Sequence, residues 1–192
     1  MLPQTPSQTV GPYLSLGLDR WTDQNVLATD QTRGDRITIT GRVLDGEGAP
    51  VRDALVEIWQ ANAAGRYAHD GDTQDKPLDP AFKGFGRCAT DDGGRFRFVT
   101  VKPGRVPGRG NTLQAPHAGV IVTARGMLDH AFTRLYFDDE AEANAEDPLL
   151  GMIEAARRGT LVAKAATLPG GERTYRFDIH LQGEQETVFL EP

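Results

Sequence analysis

The chain has 192 residues, of which 39% are hydrophobic and 25% charged, with a formal net charge of -6. That length suits one domain with a full core, and the lack of any apolar run near ~20 residues argues against a membrane-spanning helix. An acidic chain is a poor match for nucleic-acid phosphates, so an anionic ligand would have to be captured by local arginines.

Pro3, Pro6, Gly11 and Pro12 punctuate a start without hydrophobic periodicity. Residues 1–35 therefore read as an extended N-terminal arm suited to docking on a partner. From Arg36 to Val43 the pattern alternates, with Ile37, Ile39, Gly41 and Val43 on one face and Arg36, Thr38, Thr40 and Arg42 on the other. It runs into Asp45-Gly46-Glu47-Gly48, a strand entering a hairpin turn. Further strands are predicted at 54–60, 95–101, 119–124, 132–137, 175–181 and 187–190, separated by turn-rich stretches. A single peripheral helix is predicted over 147–158, where Asp147 can cap, Pro148 suits the first position and Leu149, Ile153 and Ala156 share a face. The expected fold class is all-β: a two-sheet antiparallel β-sandwich with an N-terminal arm and one short peripheral helix, in one domain over 1–192.

Cys88 is the single cysteine. There is then no internal disulfide or thiolate cluster, and with no basic-plus-apolar leader the chain reads as soluble and cytoplasmic. His69, His117, His130 and His180 do not form a usual zinc spacing. Asp178 with His180 is the nearest local approach to a ferrous oxygenase set, and an exposed strand face accounts for it as well. Generic nucleotide-binding and hydrolase motifs are absent.

One ordered series of segments is more specific. It starts at Val56-Glu57-Ile58-Trp59-Gln60-Ala61-Asn62-Ala63-Ala64-Gly65-Arg66-Tyr67 and continues through Leu78-Asp79-Pro80, Phe85-Gly86-Arg87 and Thr90-Asp91-Asp92-Gly93-Gly94-Arg95-Phe96. Lys102-Pro103-Gly104 and Thr133-Arg134-Leu135-Tyr136-Phe137 complete it. The series resembles the intradiol ring-cleaving dioxygenases along nearly the whole chain, and the resemblance implies a β-sandwich.

Catalytic members of that family hold ferric iron with two tyrosinates and two histidines. Carried over by position, the four places fall at Tyr67, Val106, His117 and Gly119. Valine and glycine have no donor, so the resemblance implies a vestigial site with no catalytic residue on this chain. Tyr67 and His117 then read as packed, hydrogen-bonded remnants and Trp59 as a core anchor.

The likeness is to the iron-free, alpha-type chain of a two-chain enzyme, which implies that Fe(III) is bound by a homologous beta subunit. It also implies that Thr9, Gly11, Pro12 and Tyr13 line the partner's substrate pocket and that Arg134 lies near the substrate carboxylate. The substrates implied are 3,4-dihydroxybenzoate and O2. Alternation independently puts Thr133, Leu135 and Phe137 on one side of their strand and Phe132, Arg134 and Tyr136 on the other. A guanidinium there could pair with a carboxylate. Two other readings stand beside this one. The first is a divergent iron site in which His69 or Tyr136 replaces the lost ligands, and the second is a noncatalytic β-sandwich binding module.

Overall fold

The computed structural model describes residues 24–167 and 172–191. Among these, eleven strands and two short helices follow in order. The strands are β1 (Arg36–Leu44), β2 (Leu55–Gln60), β3 (Phe85–Ala89), β4 (Arg95–Val101), β5 (Val106–Pro107), β6 (Leu113–Gln114), β7 (His117–Thr123), β8 (Ala131–Phe137), β9 (Val162–Thr167), β10 (Arg173–Arg176) and β11 (Ile179–His180). The helices α1 (Ala141–Glu146) and α2 (Pro148–Met152) lie between β8 and β9.

Mostly β structure is what the alternating segments predict, and the alternation of β1 is realised, with Ile37, Ile39 and Val43 fully buried. Those side chains meet Phe96 and Phe98 of β4, Val56 and Ile58 of β2, Val120 and Val122 of β7, Leu135 and Phe137 of β8 and Tyr175 of β10 in one main core. Each side chain of this size removed from water contributes roughly 1.5–3 kcal/mol.

The strand order runs β11-β1-β10-β9-β8-β7-β2-β3, with β4 on the other side of β1, and β5-β6 form a separate ribbon. The expectation of purely antiparallel sheets is corrected, because β1 pairs in parallel with both β10 and β11, and β8 with β9. Parallel neighbours need a long crossover. The segment 138–161, which carries α1 and α2, provides one between β8 and β9. β9 also pairs antiparallel with β10, so it joins the two halves of the ladder.

Several local expectations are likewise revised. The helix expected over 147–158 is shorter, α2 covering only Pro148–Met152, and an unexpected α1 precedes it, with Asp147 between the two accepting hydrogen bonds from the backbone N–H groups of Leu149 and Leu150. The second helix stops early because Ile153 turns to extended backbone (φ -80°, ψ 138°). The strand expected over 175–181 is broken at Phe177–Asp178, where the Asp178 carboxylate takes the Arg42 backbone N–H at 3.0 Å in place of a ladder bond. Residues 187–190 form no strand, although Thr187 and Leu190 donate backbone hydrogen bonds to His180 and Phe132. From the expected arm, Leu27 and Ala28 are buried in the core and donate backbone hydrogen bonds to Val99 of β4. Thr9, Gly11, Pro12 and Tyr13 lie outside the described residues.

Candidate functional site

The four ligand-like positions gather at one end of β2 and β7. Tyr67 is delivered by the loop after β2, where the Asn62 carboxamide accepts from Ala64 and Arg66 N–H at 3.0 Å each and Gly65 takes a φ of +80°. A Cβ on Gly65 would lie 2.0 Å from the Arg105 carbonyl, and one on Gly104 would lie 2.6 Å from the Ala63 carbonyl. The two glycines thus let the loop carrying Tyr67 press backbone to backbone against the one leading to Val106. Asp72 fixes Tyr67 further by accepting its backbone N–H at 2.8 Å.

His117 opens β7 and is buried. Its Nδ1 donates to the Ala115 carbonyl at 2.7 Å, which leaves Nε2 with its lone pair 3.5 Å from the Tyr67 hydroxyl. Burial, helped by the Arg134 charge, brings the imidazole pKa down to about 4, so the ring is neutral at neutral pH. Burial raises the Tyr67 pKa, keeping it a phenol rather than a phenolate. Val106 on β5 is buried beside Tyr67, and Gly119 sits in β7 opposite both Trp59 of β2 and Arg134 of β8.

Tyr67 and Trp59 separate two cavities of about 510 and 690 Å³. The smaller has an apolar wall including Ile121 and Phe132, with Tyr67, His117, Gly119 and Arg134 on its lining. Trp59 is not the core anchor expected: it is 36% exposed and stacks on Tyr67 with ring centres 5.8 Å apart and planes 12° from parallel. Its outward place follows from strand alternation, since Val56 and Ile58 take the inward positions of β2.

Arg134 points away from the main core, as alternation requires, but it is tethered rather than free. Its Nη1 donates to Gln114 Oε1 at 2.5 Å and lies 3.5 Å from the Tyr136 hydroxyl. Tyr136 is fully buried in a second small core and donates to Asp147 Oδ1 at 3.2 Å. Burial drives its phenol pKa upward. Asp147 also accepts the Ala115 N–H at 2.8 Å, so one buried carboxylate fixes α2, Tyr136 and the segment before His117. Sequence reasoning recognised Asp147 only as a cap.

This donor set does not fit a ferric ion. Tyr67 and His117 converge, but Val106 and Gly119 offer no donor, and a guanidinium occupies the same cavity. The proposed replacements do not complete it. Tyr136 is committed to Asp147, and His69 is exposed with its Nδ1 accepting from the Gly71 N–H at 2.9 Å. Asp178 is held by Arg42 and Arg176, at 3.7 and 2.6 Å, in the break between β10 and β11.

Comparison with known proteins adds the wider context. A family described as "Dioxygenase" matches residues 10–183. The protocatechuate 3,4-dioxygenase alpha chain of Burkholderia cepacia is 44% identical, with 99% of this chain and 98% of that one covered. The beta chain from the same organism is 41% identical, covering 88% of this chain and 74% of its own length. Among solved structures, 3-chlorocatechol 1,2-dioxygenase from Rhodococcus opacus 1CP has the same fold, with a TM-score of 0.62, 22% identity and coverage of 94% and 68% of the two chains.

Proposed function

This chain belongs to the intradiol ring-cleaving dioxygenase family, and we propose that it works as the iron-free alpha chain of a protocatechuate 3,4-dioxygenase beside a homologous beta chain. The observation that carries this reading is the half-dismantled site. Tyr67 and His117 stand together at 3.5 Å while Val106 and Gly119 fill the other two places, in a chain alike in its full length to an alpha chain.

In this division of labour the partner holds Fe(III) and supplies the redox chemistry. Together the chains open 3,4-dihydroxybenzoate between its two hydroxyl-bearing carbons, and both atoms of O2 enter the product, 3-carboxy-cis,cis-muconate. This chain contributes position and charge. Thr9, Gly11, Pro12 and Tyr13 are assigned to the wall of the shared pocket, where glycine allows close approach and proline stiffens the backbone. Arg134 is assigned to the carboxylate of the substrate, supported by its half-buried guanidinium, which keeps N–H donors beyond the one given to Gln114. Orientation and preorganised charge of this kind lower a barrier without any bond being made to the protein.

We infer that the chain is a single domain in which the β4-β1-β10 and β3-β2-β7-β8 halves face each other as a two-sheet sandwich, supported by the core they share. No helix among the described residues is long and apolar enough to cross a membrane, and one half-buried cysteine suits a reducing cytoplasm. Coexpression with the beta chain tests the reading. Ring cleavage should appear with both chains and with neither alone; full activity of the beta chain by itself, or none in the mixture, would reject it.

A further inference from the structure

We propose that the guanidinium of Arg134 takes over the positive charge of the remnant pocket and so bars metal ions from it, closing the site by an added cation as well as by two lost donors. This goes beyond the carboxylate role given to Arg134 above and rests on different geometry.

Arg134 stands beside both lost positions. The β7–β8 register sets Gly119 directly opposite Arg134, so their side-chain places emerge on one face about 5 Å apart. The β5–β6 register sets Val106 opposite Gln114, and Gln114 is the residue that accepts from Arg134 Nη1 at 2.5 Å. The Tyr136 hydroxyl, 3.5 Å away, steadies the same nitrogen. The guanidinium thus spans from the missing histidine toward the missing tyrosine, in the cavity that Tyr67 and His117 also line.

The neighbouring acids are already engaged. Glu57 is held by Arg87, Asp72 binds the Tyr67 and Gln74 backbones, and Asp147 receives Tyr136 and three backbone N–H groups. A divalent or trivalent ion entering here would meet a fixed cation in a largely apolar cavity, and the neighbouring carboxylates among the described residues are already paired. The backbone itself does not forbid a side chain at 119, because a Cβ there would meet Phe132 Cε2 and the Trp59 carbonyl oxygen at an ordinary 3.5 Å. The backbone therefore admits a side chain at 119, directly opposite the Arg134 charge.

The test adds that imidazole with Arg134 kept or neutralised, in the full chain assembled with its beta partner. Gly119→His creates a donor set of Tyr67, His117 and the introduced imidazole, and Co2+ is the probe, followed by equilibrium dialysis and its visible absorption. Gly119→His alone should hold no extra Co2+, whereas Gly119→His/Arg134→Gln should take one further equivalent with at least roughly 100-fold higher affinity, lost again on His117→Ala. Gly119→His/Arg134→Lys, which retains the charge, should stay closed. Should the glutamine variant fail to assemble, Arg134→Met serves as the neutral form. Equal Co2+ affinity with and without the charge, whether both variants bind or neither does, would overturn the proposal, as would binding by the lysine variant. Since Co2+ retention does not depend on turnover, failure here leaves the carboxylate reading of Arg134 intact.

Discussion

Arg134 is the residue to which we assign the most specific chemical task, because orienting an aromatic acid on an acidic protein calls for a local cation. A charge-assisted hydrogen bond to a carboxylate contributes roughly 1.5–3 kcal/mol, so Arg134→Ala should lower kcat/KM for 3,4-dihydroxybenzoate by about 10- to 150-fold. Catechol, which has no carboxylate, should be affected little, and equal losses for both substrates would remove the assignment. His117 carries a second expectation. Its folded pKa of about 4 lies below the ordinary value of 6.5 because burial and the nearby Arg134 disfavour the imidazolium, while Asp147 and the Ala115 carbonyl only partly compensate. As pH falls from 6.5 to 4 the unfolded chain takes up this proton and the folded one does not. Stability present above pH 6.5 is therefore lost across that window, by up to about 3 kcal/mol. Denaturant melts should show this slope, and His117→Gln should flatten it. The individual residues Tyr67 and His117 were legible in the sequence because their motifs are local. The outward, stacked position of Trp59 was less so, since a tryptophan's strand face depends on which neighbours fill the core.

The segments β1 and β4 could be read almost to the residue, because a period-two apolar pattern is enough to specify a strand with one buried face. β3 and β9 were missed. Phe85-Gly86-Arg87-Cys88-Ala89 and Val162-Ala163-Lys164-Ala165-Ala166-Thr167 are too short or too rich in small residues for alternation to stand out. Helix α1 was missed for a related reason, since Ala143 is its one buried residue and it has no apolar stripe to detect. Asp147 shows how a local signal can understate a residue: its capping role was legible, but its bonds to Tyr136 of β8 and to Ala115, between β6 and β7, arise only in the folded chain. Replacing Asp147 with alanine strands buried donors on three elements, so a loss of about 3 kcal/mol is expected, well above the ~1 kcal/mol of an ordinary cap. Thermal unfolding with and without the change measures it, and a loss near 1 kcal/mol would reduce Asp147 to a cap alone.

At the scale of the whole molecule, the sheet scaffold carries a cavity where Tyr67 and His117 converge beside the Arg134 guanidinium. The architecture was legible as mostly β, but the parallel pairings of β1 with β10 and of β8 with β9 were not, because strand order depends on long-range contacts that periodicity does not encode. The same holds for the joint fixing of Tyr67, His117, Gly119 and Arg134 around one cavity, which only the registers of β2, β7 and β8 bring about. In the proposed division of labour this chain leaves the metal to its partner. Iron analysis of the two chains, separated after coexpression, measures this: about one equivalent is expected on the beta chain and none on this one, because Val106 and Gly119 offer no donor. One tightly held equivalent of iron on this chain, lost on Tyr67→Phe, would contradict it.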